Sequence, residues 1–216
     1  MPQLIAMIIV VVGAMIYMFQ TFGGTGDKIE GVAQKGSIIT EINNIKDGVK
    51  IAAKSEQIAE TAAGDAVNTL NALGNLSYFA QQINEQVVAN ATGQNAVTNT
   101  YYAISFGGGE KTAGGMTIQL VTQQGLIPGI FVDLGSGTLK DNAAFLEAQV
   151  AKDLEGIAYI DRAADSVGSA SDTVKENSTG LESRVPERAL TTGSTNLSDG
   201  KFIVYFKDFG ADEVVK

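Results

Sequence analysis

Met1-Pro-Gln-Leu-Ile-Ala-Met-Ile-Ile-Val-Val-Val-Gly-Ala-Met-Ile-Tyr-Met-Phe-Gln-Thr-Phe-Gly-Gly-Thr-Gly26 contains no charged side chain. Its centre, Leu4 to Phe19, is an apolar run. With its uncharged flanks it reaches the roughly 20 residues, at about 1.5 Å each, that a helix needs to cross a bilayer. Leu4, Ile5, Ile8, Ile9, Val12, Met15, Ile16 and Phe19 supply the apolar bulk of this candidate membrane helix. Gly23, Gly24 and Gly26 follow, where an unwound or flexible break is expected, and the first charges are Asp27 and Lys28.

A secretory signal peptide puts basic residues before its apolar core and small residues at a cleavage site behind it. No basic residue precedes this core, and the glycines run straight into a helical pattern. That predicts a mature chain from which a charged leader has been removed, the alternative being an ordinary N-terminal membrane anchor.

Charge is distributed unevenly. Residues 27–60 hold six acids and five bases, so nearly all of the net charge of −9 falls on residues 61–216, with 18 acids against 10 bases. An acidic region without clustered Lys and Arg cannot neutralise phosphates in a row, so nucleic acid is not an expected partner. With no cysteine and no histidine, disulfides, thiolate nucleophiles, Ser-His-Asp triads and most zinc sites are excluded. No catalytic constellation emerges, and neither an enzyme nor a cofactor is expected.

Beyond the glycines the apolar period is helical. Ile29, Val32, Ile39, Ile42, Ile45, Val49, Ala52, Ala59 and Ala63 recur at steps of three, four or seven, which predicts one long helix from near Pro2 to about Ala62. Pro2 suits its first turn, and Gly36 and Gly48 weaken it by about 1 kcal/mol each relative to alanine. Residues 1–26 read as the apolar segment, 27–62 as its amphipathic continuation, and 63–216 as a globular head. Ile39, Ile42, Ile45 and Val49 are the residues expected to pack the helix on that head.

Asp65 is expected to cap a second helix running to about Val88, with Val67, Leu70, Leu73, Leu76, Phe79, Ile83 and Val87 as its stripe. Asn90 to Thr100 reads as a loop. Tyr101–Phe106, Met116–Thr122 and Gly129–Leu134 read as strands bounded by glycine-rich turns. A helix is predicted from about Asn142 to Ala164, with Phe145, Val150, Leu154, Ile157 and Ile160 inside. Residues 166–200, rich in Ser, Thr, Gly and Asn, read as a long surface excursion in which Arg184 and Arg188 are open to outside contacts. Phe202–Phe206 reads as a strand covered on both faces. The fold class is therefore α+β: a long N-terminal helix, apolar in its first half, packed on a head with an antiparallel sheet and further helices.

Three motifs carry less than they suggest. Gly107-Gly-Gly-Glu-Lys-Thr112 lacks the glycine that a phosphate loop needs before its lysine, and a hairpin fits it better. Asp133, Asp141 and Asn142 flank a glycine turn but lack the alternating acids of a calcium loop; Asp141 is expected to cap a helix instead. Asn75-Leu-Ser77, Asn90-Ala-Thr92, Asn177-Ser-Thr179 and Asn196-Leu-Ser198 match the N-glycosylation triplet, in a chain rich enough in these residues for chance matches.

The arrangement resembles a mature type IV pilin, closest in size to the type IVb branch. Met1 to Phe22 match that family's apolar segment, and Gly23-Gly24 fall where its helices unwind on assembly. The chain differs in having Ile5 where the family carries a glutamate, an unusual Pro2, and no cysteine pair; minor pilins, pseudopilins and archaeal-type pilins stay open. The resemblance implies a homopolymer formed through the N-terminal helix, a membrane location before assembly, and a cell-surface filament with the head available for adhesion, motility or surface contact. The alternative is a single-pass anchored envelope protein whose head binds a ligand or partner.

Overall fold

A computed structural model of the chain describes residues 31–89, 99–103, 116–135, 137–170, 173–191 and 197–216. The expectations for residues 1–30, for the 90–98 part of the first loop, and for 104–115 lie outside the described residues.

Helix α1 is described from residue 31 to 54. Its buried stripe is Ile38, Ile42, Ile45, Val49 and Ala52, with the steps of four and three that keep one face of a helix on a core. Ile39 is half-buried at the margin of this stripe. Val32, expected in the stripe, is instead 67% exposed.

The helix stops at Lys54, short of the expected Ala62. Glu56 takes a left-handed backbone (φ 56°). Its N–H donates to Ala53 O and that of Gln57 to Ala52 O, both at 3.0 Å. This is the double bond that closes a helix end, normally around glycine. Beyond it the chain is extended and finds better partners. Ala59 N–H donates to Val67 O, Val67 N–H to Gln57 O and Lys216 N–H to Ile58 O, while Ile58 is fully buried. Ala63 is exposed and forms no part of a helical stripe.

The expected helix over 65–88 is two. Helix α2 spans Leu70–Asn75 and helix α3 spans Gln81–Ala89. Thr69, not Asp65, caps α2: its hydroxyl accepts the Ala72 N–H at 3.2 Å. Ser77 (φ 61°) ends it in the same way as Glu56 ends α1, with Tyr78 N–H donating to Leu73 O. Leu76 consequently turns outward, 49% exposed. Asn84 holds the break shut, since its amide donates to Phe79 O and accepts Phe79 N–H. Buried Asn71 ties the two helices by donating to Val87 O at 2.9 Å.

The sheet has five strands, β1 (Tyr101–Ala103), β2 (Met116–Val121), β3 (Gly129–Asp133), β4 (Ala158–Asp161) and β5 (Lys201–Phe206), in the order β1-β2-β3-β5-β4 with every pairing antiparallel. Opposed residues share a face. The register therefore places Tyr101, Ile118, Leu120, Ile130, Val132, Phe202, Val204 and Phe206 on one face, and Gln119, Phe131, Ile203, Tyr205, Tyr159 and Asp161 on the other. All of β5 except Lys201 is buried, as expected for a strand covered on both sides.

Helix α4 covers Ala143–Leu154 only. The residues expected to continue it turn at Glu155-Gly156 and become β4, whose backbone pairs with β5. Leu146, Val150 and Leu154 form the buried stripe of α4, while Phe145 and Ile157 are 57% and 51% exposed, contrary to expectation. Asp141 lies in the short 3-10 segment Gly137–Asn142 and caps nothing; Asn142 precedes α4 without a side-chain cap bond. Asp133 accepts the Gly135 N–H, bracing its own turn.

The described residues of the 166–200 stretch lie mostly at the surface, as expected, but they are structured and partly anchored in the core. They include the 3-10 turns Val167–Ser169 and Gly180–Arg184 and helix α5 (Glu187–Leu190), and they bury Val185 and Ala189 in the core. Two ion pairs fasten this part of the molecule. Asp161, fully buried, accepts Arg188 Nε at 2.6 Å and the Ala163 N–H at 3.0 Å, and Arg188 Nη2 donates to Ser169 O. Glu147, equally buried, accepts Arg162 Nε at 2.6 Å and the Gly200 N–H at 2.9 Å. Gly200 sits at φ 86°, where a Cβ would lie 2.5 Å from that of Ala143, so only glycine fits between α4 and the start of β5. Arg184 donates to Gly210 O, and its own carbonyl accepts the Ile127 N–H.

Candidate functional site

Among the described residues there is no cluster of three or more acidic side chains arranged to hold a metal, and no nucleophile–base pairing stands out. The feature that the rest of the fold supports is α1 itself, fixed to the head along its length. Its stripe joins one hydrophobic core with Ile118, Val132, Phe202 and Val204 of the sheet. Of the four residues expected to pack helix on head, Ile42, Ile45 and Val49 are fully buried and Ile39 is half-buried. Ile38, one position off the expected stripe, is buried in the same row. Leu4, Ile5, Ile8, Ile9, Val12, Met15, Ile16, Phe19, Gly23, Gly24 and Gly26 lie outside the described residues.

At Gly48 the α2–α3 break lies directly against α1. A Cβ there would lie 2.2 Å from the Phe79 ring and 2.8 Å from Tyr78 O, distances that no side chain tolerates. The helix accepts glycine's lower propensity at this position so that the α2–α3 break can seat Phe79 directly on its backbone.

Polar contacts flank the apolar row. Lys46 and Lys50 both reach Asp208 (3.4 and 3.0 Å), and Lys50 also donates to the Asp208 carbonyl at 2.6 Å. Their ammonium groups lie over Phe206 (5.3 Å) and Phe209 (5.9 Å) respectively, a cation–π arrangement. Partial burial alone would raise the Asp208 carboxyl, but the two lysines outweigh it and hold it below the usual carboxylate range. Nearer the described start of α1, Lys35 pairs with Asp153 of α4 at 2.6 Å. The long separations in sequence hid these partners from any reading by period.

Glu41 meets β1 at its other flank. Tyr101 Oη is 2.8 Å from Gln86 Oε1 and 3.3 Å from Glu41 Oε2. One hydroxyl proton cannot serve both acceptors, and the shorter contact goes to Gln86. Burial raises the Glu41 pKa, partly offset by the Tyr101 contact. A raised folded-state value means that the folded protein holds this proton more tightly than the unfolded chain. The penalty is then complete above the raised value and is relieved as pH falls through it towards the ordinary carboxylate range. Glu41→Gln is accordingly expected to raise the thermal midpoint at neutral pH, with the gain over wild type closing as the buffer is acidified. A gain that does not change with pH would show that Glu41 is not the group concerned.

No helix among the described residues is long and apolar enough to cross a membrane; the charge-free segment lies outside them. No protein-family model matches the chain, and neither does any curated protein or solved structure.

Proposed function

We propose that the chain is a structural subunit of an extracellular pilus-like filament, a homopolymer built through its apolar N-terminal segment, with a non-catalytic head turned outward for adhesion, motility or surface contact. The observation that carries this reading is the joining of 26 charge-free residues to a helix whose continuation is bolted to a compact head. A helix anchored only by its tip would let the head swing. With the row from Ile38 to Ala52 buried in the head's own core, the described part of α1 is one body with the head, which supports a subunit that passes load through its helix. In this reading the segment sits in the membrane before assembly and in the filament interior afterwards.

Val12→Asp in the full chain tests it. A carboxylate at the middle of a bilayer-spanning helix costs about 2.5–3.5 kcal/mol on insertion scales, and in a packed helical interior it lacks a partner. Electron microscopy of the source cells is expected to show filaments with the wild-type chain and none with the variant. Filaments of unchanged number and shape would overturn the proposal. A wild-type chain that stays in the membrane fraction without forming filaments would favour the anchored envelope protein.

A further inference from the structure

Asn177-Ser-Thr179 occupies a turn that stands off the head. Val174 is bridged to Pro186 and Thr173 O accepts the Glu187 N–H, which pins the base. Ser178 N–H donates back to Lys175 O, and Asn177 takes a left-handed backbone at φ 59°. Thr179 then runs extended (φ −131°, ψ 159°). Asn177 and Thr179 are both exposed, as is every described residue from Thr173 to Asn177.

The fold uses its other asparagine amides selectively. Asn68, Asn71, Asn84 and Asn99 all donate side-chain hydrogen bonds to backbone carbonyls, and none of the four begins a glycosylation triplet. The Asn177 amide makes no such bond among the described residues. Asn75-Leu-Ser77 is an internal contrast. It is exposed too, but its Leu76 and Ser77 N–H groups donate to Ala72 O and Gly74 O and close the end of α2, so the triplet cannot enter an enzyme cleft without unwinding that end. Asn177 and Thr179 are exposed on a turn that, among the described residues, is closed by its own Ser178 N–H to Lys175 O bond and tied to the rest of the head at its base.

We infer that Asn177 is an N-linked glycosylation site, modified by a lipid-linked oligosaccharide on the non-cytoplasmic side of the membrane. In the transfer, the Asn177 amide nitrogen bonds to the anomeric carbon of the first sugar. The bond from that carbon to the polyprenyl diphosphate breaks, the diphosphate leaves with the electron pair, and the amide gives up one proton. The hydroxyl of Thr179 is the recognition element two residues on. The site rests on the filament reading only in requiring that the head be exported.

Lys175 and Arg184 bracket a tryptic peptide of residues 176–184, and the test is its mass in the full-length protein purified from its own cells. The peptide is expected to be heavier than its amino-acid mass by a series of sugar residues, to lose all of that excess in Thr179→Ala, and to keep it in Thr179→Ser. Protease accessibility of the head on intact cells is measured in parallel. An unmodified peptide from a surface-accessible head overturns the site and leaves the filament reading standing. A head that is not accessible overturns both.

Discussion

Replacing Arg188 with alanine is expected to lower the stability of the head by about 3–5 kcal/mol, the cost of leaving a buried charge without its partner. Asp161 is fully buried on β4, with Arg188 Nε at 2.6 Å and the Ala163 N–H as its hydrogen-bond donors. Without the guanidinium the carboxylate stays in the core beside the buried Tyr205 hydroxyl, which the Asp161 charge already helps to hold protonated. Asp161→Asn combined with Arg188→Ala removes that charge and is expected to recover part of the loss. Arg184→Ala, which breaks an exposed bond to the Gly210 carbonyl, is expected to cost about 1 kcal/mol. Urea unfolding of the three variants followed by circular dichroism supplies the comparison. If Arg188→Ala costs no more than Arg184→Ala, the pair does not hold α5 to the sheet.

Ile42→Asp is the second large effect. Ile42 is fully buried in the middle of the α1 row. Losing its side chain from the core forfeits about 1.5–3 kcal/mol, and a carboxylate in its place adds a desolvation cost of several kcal/mol unless it takes up a proton. The sum is comparable to the whole stability of an ordinary domain, about 5–15 kcal/mol, so the expected outcome is a head that is unfolded or close to it at neutral pH. Ile42→Val is expected to cost about 0.5–1.5 kcal/mol. An Ile42→Asp protein with the wild-type unfolding midpoint would mean that α1 does not rest on the sheet.

Regular repetition was legible in this sequence, and where it stops was not. The α1 stripe follows from a period of 3.6, β5 from an unbroken apolar run, and the α+β class from the change between helical and strand-like segments. The ends of α1 and α2 do not, because Glu56 and Ser77 occupy left-handed positions at which glycine would have been the signal. Strand β4 was hidden because Ile157 and Ile160 continue the helical spacing of Val150 and Leu154. Pairing with β5 decides the matter, and that partner lies more than 40 residues away in the chain. The 166–200 stretch misled through its composition. Few of its side chains are apolar, yet Val185 and Ala189 enter the core and Arg188 pairs with buried Asp161, which anchors the stretch to the sheet. For the candidate site, the buried isoleucines were readable by spacing. Gly48 read as a weak point in the helix because nothing local announces that Phe79 will lie on it.

The strand order β1-β2-β3-β5-β4 also bears on how the protein comes to be made. The last described strand, β5, lies inside the sheet, and among the described residues β4 pairs with β5 alone. A nascent chain that has not yet delivered Lys201–Phe206 therefore holds a three-stranded meander and a stray strand that cannot join it. Closure of the sheet waits for Lys201–Phe206, and contacts so far apart in sequence form slowly. Until then the edges of β3 and β4 that β5 will cover stay open to wrong pairing, which is the interval in which such chains aggregate. Biogenesis rather than the finished fold is then the vulnerable stage, and a ribosome stalled before residue 201 would release a product with two sticky edges and no means of covering them.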